Sequence, residues 1–281
     1  MNTQPLPSVF ISHGSPMIAL EPGAAGVFLK TLGHAIDKTF DRPRAIVVAS
    51  AHTTAREPVV LAGPQHEAIY DFGNFDARLN EMRYDAPGSP EVAAEVAGLL
   101  KNAKLPVHLI NEGGLDHGIW TVLRYIYPAA DIAIVPVAFV PTHGPAQQFA
   151  LGQALAPLRS EGVLVLGTGS ITHNLRRVFA GGFGSQSNVP EIAESAQFRE
   201  WIRDKGAAGD WASLADYRRL APHAADMHPT DEHLLPWFVA AGAGGMQSPA
   251  IRLHDSVTHG VLGMDAYAFG PEAPTLERAL H

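Results

Sequence analysis

Residues 9–17 read VFISHGSPM, an apolar run that stops at a histidine and turns at once through Gly-Ser-Pro. A short β-branched and aromatic run bounded by turn residues is the pattern of a buried strand. The construction returns at AIVVASAHT (45–53), where His52 follows the apolar run Ala45–Ala49. It returns more loosely at VLVLGTGSITHNL (163–175), with His173. One such histidine could simply bond backbone carbonyls at a strand end. Three call for a common cause. In open α/β sheets, ligands bind in the crevice beyond the carboxyl ends of the strands, and histidines in these positions would all face it.

Further strand-like runs occur at PVVLA, PVHLI, DIAIVPVAFV, AIRLH and GMDAYAF. Most are nearly continuous rather than alternating, as strands covered on both faces are. Helical patterns lie between them. Ser89-Pro90 opens one with a cap residue and a proline in the first turn. Others span roughly Gly23–Phe40, Trp120–Tyr127, Ala146–Arg159, Pro190–Asp204 and Trp211–Arg219. This alternation predicts an α/β three-layer fold: a central, mostly parallel or mixed β-sheet flanked by helices on both faces. No repeat or linker divides the chain, so residues 1–281 are expected to form one domain. The Gly-rich stretch AGGFGSQSN (180–188) reads as a loop or mobile lid.

The 281 residues contain 46% hydrophobic side chains and no apolar run of eighteen, so no membrane span is expected. The first residues, MNTQPLPS, lack a basic region followed by an apolar core, and a cytoplasmic location is the plain expectation. With no cysteine, disulfides, thiolate metal sites and cysteine nucleophiles are all excluded. A net charge of −8 without a basic cluster argues against nucleic acid. Fourteen histidines, about one residue in twenty, favour a metal site, because neutral imidazole is the commonest ligand for transition metals.

His13 and His52, on strands expected to be neighbours, form a candidate ligand pair. His117 lies in GGLDHGIW, where Asp116 is expected to cap a helix over Ile119–Tyr127 and leave His117 at its N-terminal mouth. The two glycines before His173 permit close backbone approach or positive φ. The loop resembles a phosphate cradle, but it has neither GxGxxG nor GxxxxGK[ST], which discounts a nucleotide. In HPTDEH (228–233), Thr230 is expected to cap a helix reading EHLLPWFVAAGA, with Pro236 bending it or shifting its start. Glu232 and His233 are adjacent and point apart, so one of the two should reach a given site. His228, before Pro229, reads as a turn residue. His34, His66, His108, His143, His254 and His281 read as structural or solvent-facing. Two histidines plus one group from Glu232/His233 give three ligands with open positions, the arrangement of a catalytic metal site. His117 and His173 are then free for acid–base work.

HGSPM, SAH, YDFGNF (70–75), YDAPGSPE (84–91), GLDHG (114–118), GTGSITHNL (167–175), HPTDEHLLP (228–236) and GMDAYAF (263–269) occur in this order. Together they resemble the extradiol ring-cleaving dioxygenases of the LigB superfamily, in the branch that includes DOPA 4,5-dioxygenase. The resemblance covers nearly the whole chain. It implies that His13, His52 and His233 bind the metal, with Glu232 a lesser candidate for the third position. It implies His173 as the general base and His117 as the residue that stabilises or protonates bound substrate and oxygen. Tyr70, Asp71 and Phe72 would line the pocket. The implied substrates are a catechol and O2, the product a muconic semialdehyde-type compound, and the working cofactor Fe(II). An all-histidine set lacks the carboxylate of the usual non-haem iron triad, so Zn(II) is expected in purified protein. The chain departs from the family pattern at Thr53, where most relatives carry an aromatic residue, and where the YDF motif continues Gly-Asn-Phe. Two other readings stay open: a zinc hydrolase on the same ligands, and a non-enzymatic metal-binding protein of the same fold.

Overall fold

The computed structural model describes residues 4–73, 75–180 and 189–281. The Gly-rich stretch expected to be a loop or lid falls, apart from Ala180, outside the described residues.

Eight strands form the central sheet: β1 (Ser8–Ser12), β2 (Ala45–Ser50), β3 (Val59–Leu61), β4 (His108–Ile110), β5 (Ala133–Ala138), β6 (Val163–Gly169), β7 (Ile251–His254) and β8 (Ala266–Phe269). Their order is β4-β3-β5-β2-β6-β1-β8-β7. The middle four, β5-β2-β6-β1, are parallel, and antiparallel pairs flank them on both sides. The sheet is therefore mixed, with a parallel centre.

Alternating strand residues divide the core in two. Phe10, Val47, Val135 and Val165 face one side, where they meet α2 (Pro90–Asn102), α4 (Pro145–Leu155), α6 (Ala193–Ala207) and α7 (Leu235–Gly244). Val9, Ile11, Ile46, Val48 and Leu166 face the other, against α1 (Gly23–Phe40), α3 (His117–Ile126) and α8 (Ala273–Leu280). Strands buried on both faces explain why their sequences are continuous rather than alternating. The three expected layers are present. A further short helix, α5 (Leu175–Ala180), follows the His173 loop.

Several local expectations need correction. β1 and β2 are not neighbours: β6 lies between them, with Ser12 opposite Gly169 and Ser50 opposite Thr168. Asp116 holds the N-cap position of α3 but makes no capping bond, because its carboxylate accepts from Ser50 Oγ at 2.7 Å and Thr53 Oγ1 at 2.5 Å. The helix expected from Glu232 begins only at Leu235, and Thr230 does not cap it. Pro236 sits in its first turn, where a missing N–H costs nothing. The helix expected over Trp211–Arg219 is split into Trp211–Ala215 and Tyr217–Leu220. His228 is fully buried, its Nε2 donating to the Ile171 carbonyl at 2.7 Å.

Candidate active site

Parallel β1, β2 and β6 all end at the same edge, which fixes where their following residues emerge. The His13 amide donates to the Gly169 carbonyl at 2.9 Å, and the Ala51 amide donates to Thr168 at 3.0 Å. His13 and His52 thus leave the sheet on either side of β6. Gly169 brings the third segment in. The Ser170 amide donates to the His233 carbonyl at 2.8 Å, and a Cβ on Gly169 would stand 2.1 Å from that oxygen. Gly167 has the same relation to the Pro236 carbonyl, at 2.2 Å. Neither glycine has positive φ. The glycines of GTG therefore serve close approach: they let the chain that carries His233 lie directly on the strand.

The result is a cluster of five imidazoles. His13 lies with ring centroids 5.1 Å from His52, 5.5 Å from His117 and 5.5 Å from His233. His173 stacks on His233 at 3.4 Å and 7°. One ligand nitrogen from each of His13, His52 and His233 lies within 4.8 Å of the others. His52, Asp71 and His117 meet the same distance criterion.

Hydrogen bonding decides between these sets. Thr168 has one hydroxyl proton and donates it to the Gly118 carbonyl at 2.8 Å, so it can only accept from His13 Nδ1, 3.0 Å away. His13 then carries its proton on Nδ1 and presents Nε2 as a lone pair. His233 Nδ1 lies 3.2 Å from a Glu232 carboxylate oxygen, which likewise holds its proton on Nδ1. Its Nε2 is buried with no hydrogen-bond partner. The His52 and His13 Nε2 atoms are 3.2 Å apart. Imidazole nitrogens turned toward one another, one of them orphaned in the interior, are what a shared cation satisfies. In the second set Asp71 Oδ1 is already engaged, accepting from the His117 amide at 3.0 Å and from His117 Nδ1 at 2.9 Å. The three-histidine set fits a divalent transition metal.

Electrostatics agree. Burial, followed by the neighbouring imidazoles, holds His13 and His233 well below the ordinary 6.5. Burial, with His117 next, lowers His52 to about 4. Burial likewise takes His173 to about 3. All four are neutral at pH 7 and have lone pairs to offer. Asp71 is held below its usual range: burial pushes it up, but the bonds to His117 outweigh that.

A cavity of about 570 Å³ opens above the cluster and is lined by His52, Asp71, Phe72, His117, His173 and His233, among others. His13 is completely buried beneath it. The expected site residues are thus brought together, with two qualifications. Tyr70 is not among the lining residues: its hydroxyl donates to the Met82 carbonyl and its ring meets Trp120 edge-on. Glu232 lines the cavity too, bonded to His233 and Thr230. Thr168 and Ser50 were missed by sequence reasoning, and Asp116 was read only as a helix cap. A polar residue inside the otherwise apolar VLVLGTG run is the one signal that pointed to Thr168.

Comparison with known proteins identifies the family. The family described as the catalytic LigB subunit of aromatic ring-opening dioxygenase matches residues 7–270. The chain belongs to the LigB family. It is thereby placed among the aromatic ring-opening dioxygenases, as its motifs led us to expect. Among LigB relatives, the 4,5-DOPA dioxygenase extradiol of Beta vulgaris is 35% identical over 267 residues, covering 92% of this chain and 95% of that protein. The protein of the same name from Escherichia coli K12 is 34% identical, with 96% and 97% covered. The crystal structure of an uncharacterized protein from Escherichia coli K12 superposes with a TM-score of 0.75 at 32% identity. It covers 94% of this chain and 100% of that one. Among the described residues, no helix is long and apolar enough to cross a membrane.

Proposed function

We propose that the chain acts as one catalytic domain, a metal-dependent extradiol dioxygenase. It opens the ring of a catechol-type substrate with O2 and yields a muconic semialdehyde-type product. The observation that carries this reading is the inward-facing Nε2 set of His13, His52 and His233, with two further histidines beside an open cavity. Relatives named for DOPA support a catechol. Bound Fe(II) would hold the catechol and O2 side by side and let charge pass between them.

The chain's own residues do the rest. His173, neutral because it is buried, accepts a proton from a catechol hydroxyl as that oxygen is deprotonated. His117 has its Nδ1–H fixed on Asp71, so its Nε2 is the atom that exchanges a proton with substrate and oxygen. Phe72 meets His117 edge-on at 5.7 Å and supplies an aromatic wall against which a flat ring can pack. Glu232, bonded to His233 Nδ1, acts as the partner that orients this ligand.

The test is anaerobic Fe(II) loading, followed by oxygen and a panel of catechols. Oxygen uptake with a yellow ring-opened product is expected. Purified protein is expected to carry zinc, measured by elemental analysis, and to be inactive in ring opening until the metal is exchanged. Ester hydrolysis by zinc-loaded protein without oxygen uptake would replace this reading with the hydrolase.

A further inference from the structure

We propose that Arg176 selects catechols whose side chain bears a carboxylate. The inference rests on the dioxygenase reading and deepens it. Arg176 lines the same cavity as the histidine cluster and is exposed there. It is the one permanent cation on the described wall. Among the described residues, no carboxylate is within ion-pair distance of it.

The contrast with its surroundings makes that telling. Both carboxylates that line the cavity have partners: Asp71 accepts from His117, and Glu232 bonds His233 and Thr230. Arg177, the next residue, is clamped by Asp226 and Glu194. Asn174 holds the start of the same helix, donating to the Asp226 carbonyl at 2.6 Å and accepting from the Arg177 amide at 3.2 Å. The segment is thus fixed from behind, and Arg176 lines the cavity with no hydrogen-bond or ion-pair partner for its guanidinium among the described residues.

A planar fork of donors suits a carboxylate, which it can grip through two parallel hydrogen bonds. A catechol anchored by its two oxygens beside the histidines keeps its ring substituent for the rest of the cavity. At about 570 Å³ the cavity falls in the range of small-molecule sites. A cationic catecholamine would meet like charge at Arg176, and a neutral alkyl catechol would gain nothing from it. Because Arg176 is exposed, its attraction is partly screened, and the preference is moderate and salt-sensitive.

The experiment compares 3,4-dihydroxyphenylacetate with 4-methylcatechol on wild type, Arg176→Gln and Arg176→Lys. The Fe(II) enzyme is followed by oxygen uptake, and zinc-loaded protein by calorimetry. Arg176→Gln is expected to lower the carboxylate-to-neutral ratio of kcat/KM, and of binding constants, by about tenfold. Arg176→Lys should restore part of it, and raised ionic strength should compress the wild-type ratio. An unchanged ratio in Arg176→Gln overturns the proposal. If neither catechol is turned over, the dioxygenase reading fails, and the calorimetric ratio still decides the role of Arg176.

Discussion

At His233, a single carboxylate determines which ring nitrogen can serve as ligand. Glu232 holds the proton on Nδ1, which leaves Nε2 bare and without a partner in the protein interior. Partners of this kind typically account for 10–100-fold in metal affinity. Glu232→Ala is therefore expected to weaken metal binding by about that factor, while His233→Ala lowers the bound metal toward zero. Equilibrium competition with a chromophoric chelator measures both. Asp71 plays the corresponding part for His117, through bonds to the ring and to the amide. Asp71→Asn should keep the fold and the metal but lower kcat by about 100-fold, with a smaller change in KM. Steady-state oxygen uptake tests it. Asp116, by contrast, is buried among hydroxyl donors and acts on the shape of the His52 turn.

Among the elements, β6 organises the site. It separates the strands that lead to His13 and His52, and its glycines lie under the segment that carries His233. Gly169→Ala would drive a Cβ into the His233 carbonyl. A cost of about 2 kcal/mol is expected from the overpacking, together with reduced metal stoichiometry. Thermal denaturation and metal analysis of the variant provide the check. Much of this element was legible in the sequence. VFIS and AIVVAS are β1 and β2, a helix over Gly23–Phe40 was expected with the bounds found, and Ser89 caps α2 through the Val92 amide at 3.1 Å. Those features depend on neighbours in the chain. Strand order was not legible, because whether β6 or β1 lies beside β2 depends on contacts across more than a hundred residues. For the same reason Asp116 looked like a cap: Ser50 and Thr53, its true partners, are sixty or more positions away. Three of the histidines stood out locally because they follow strand-like runs, whereas His117 was noticed at a helix start and His233 in the HPTDEH segment. Thr168, which fixes the His13 tautomer, has only its polarity within an apolar run as a local sign, because His13 and Gly118, its partners, are distant in the chain.

For the molecule as a whole, the buried imidazoles make stability depend on pH. Burial lowers His228 from 6.5 to about 4, His52 to about 4 and His173 to about 3. As pH falls below 6.5, the unfolded chain takes up protons that the folded chain refuses, so stability is complete above 6.5 and is lost progressively down to about pH 3. For His228 alone, the difference between 6.5 and about 4 corresponds to about 3 kcal/mol. Urea titrations of metal-free protein should show stability rising with pH across this window, with a shallower slope in His228→Gln. Equal slopes in the two proteins would remove His228 from this account.

The docking of His233 on Gly169 also bears on biosynthesis. On the reading proposed above, in which His13, His52 and His233 share an ion, a chain emerging from the ribosome cannot cage it until His233 has been made and has settled on the sheet. Loading is thus a late event. An ion held by all three histidines certifies that the amino- and carboxyl-terminal parts have found each other.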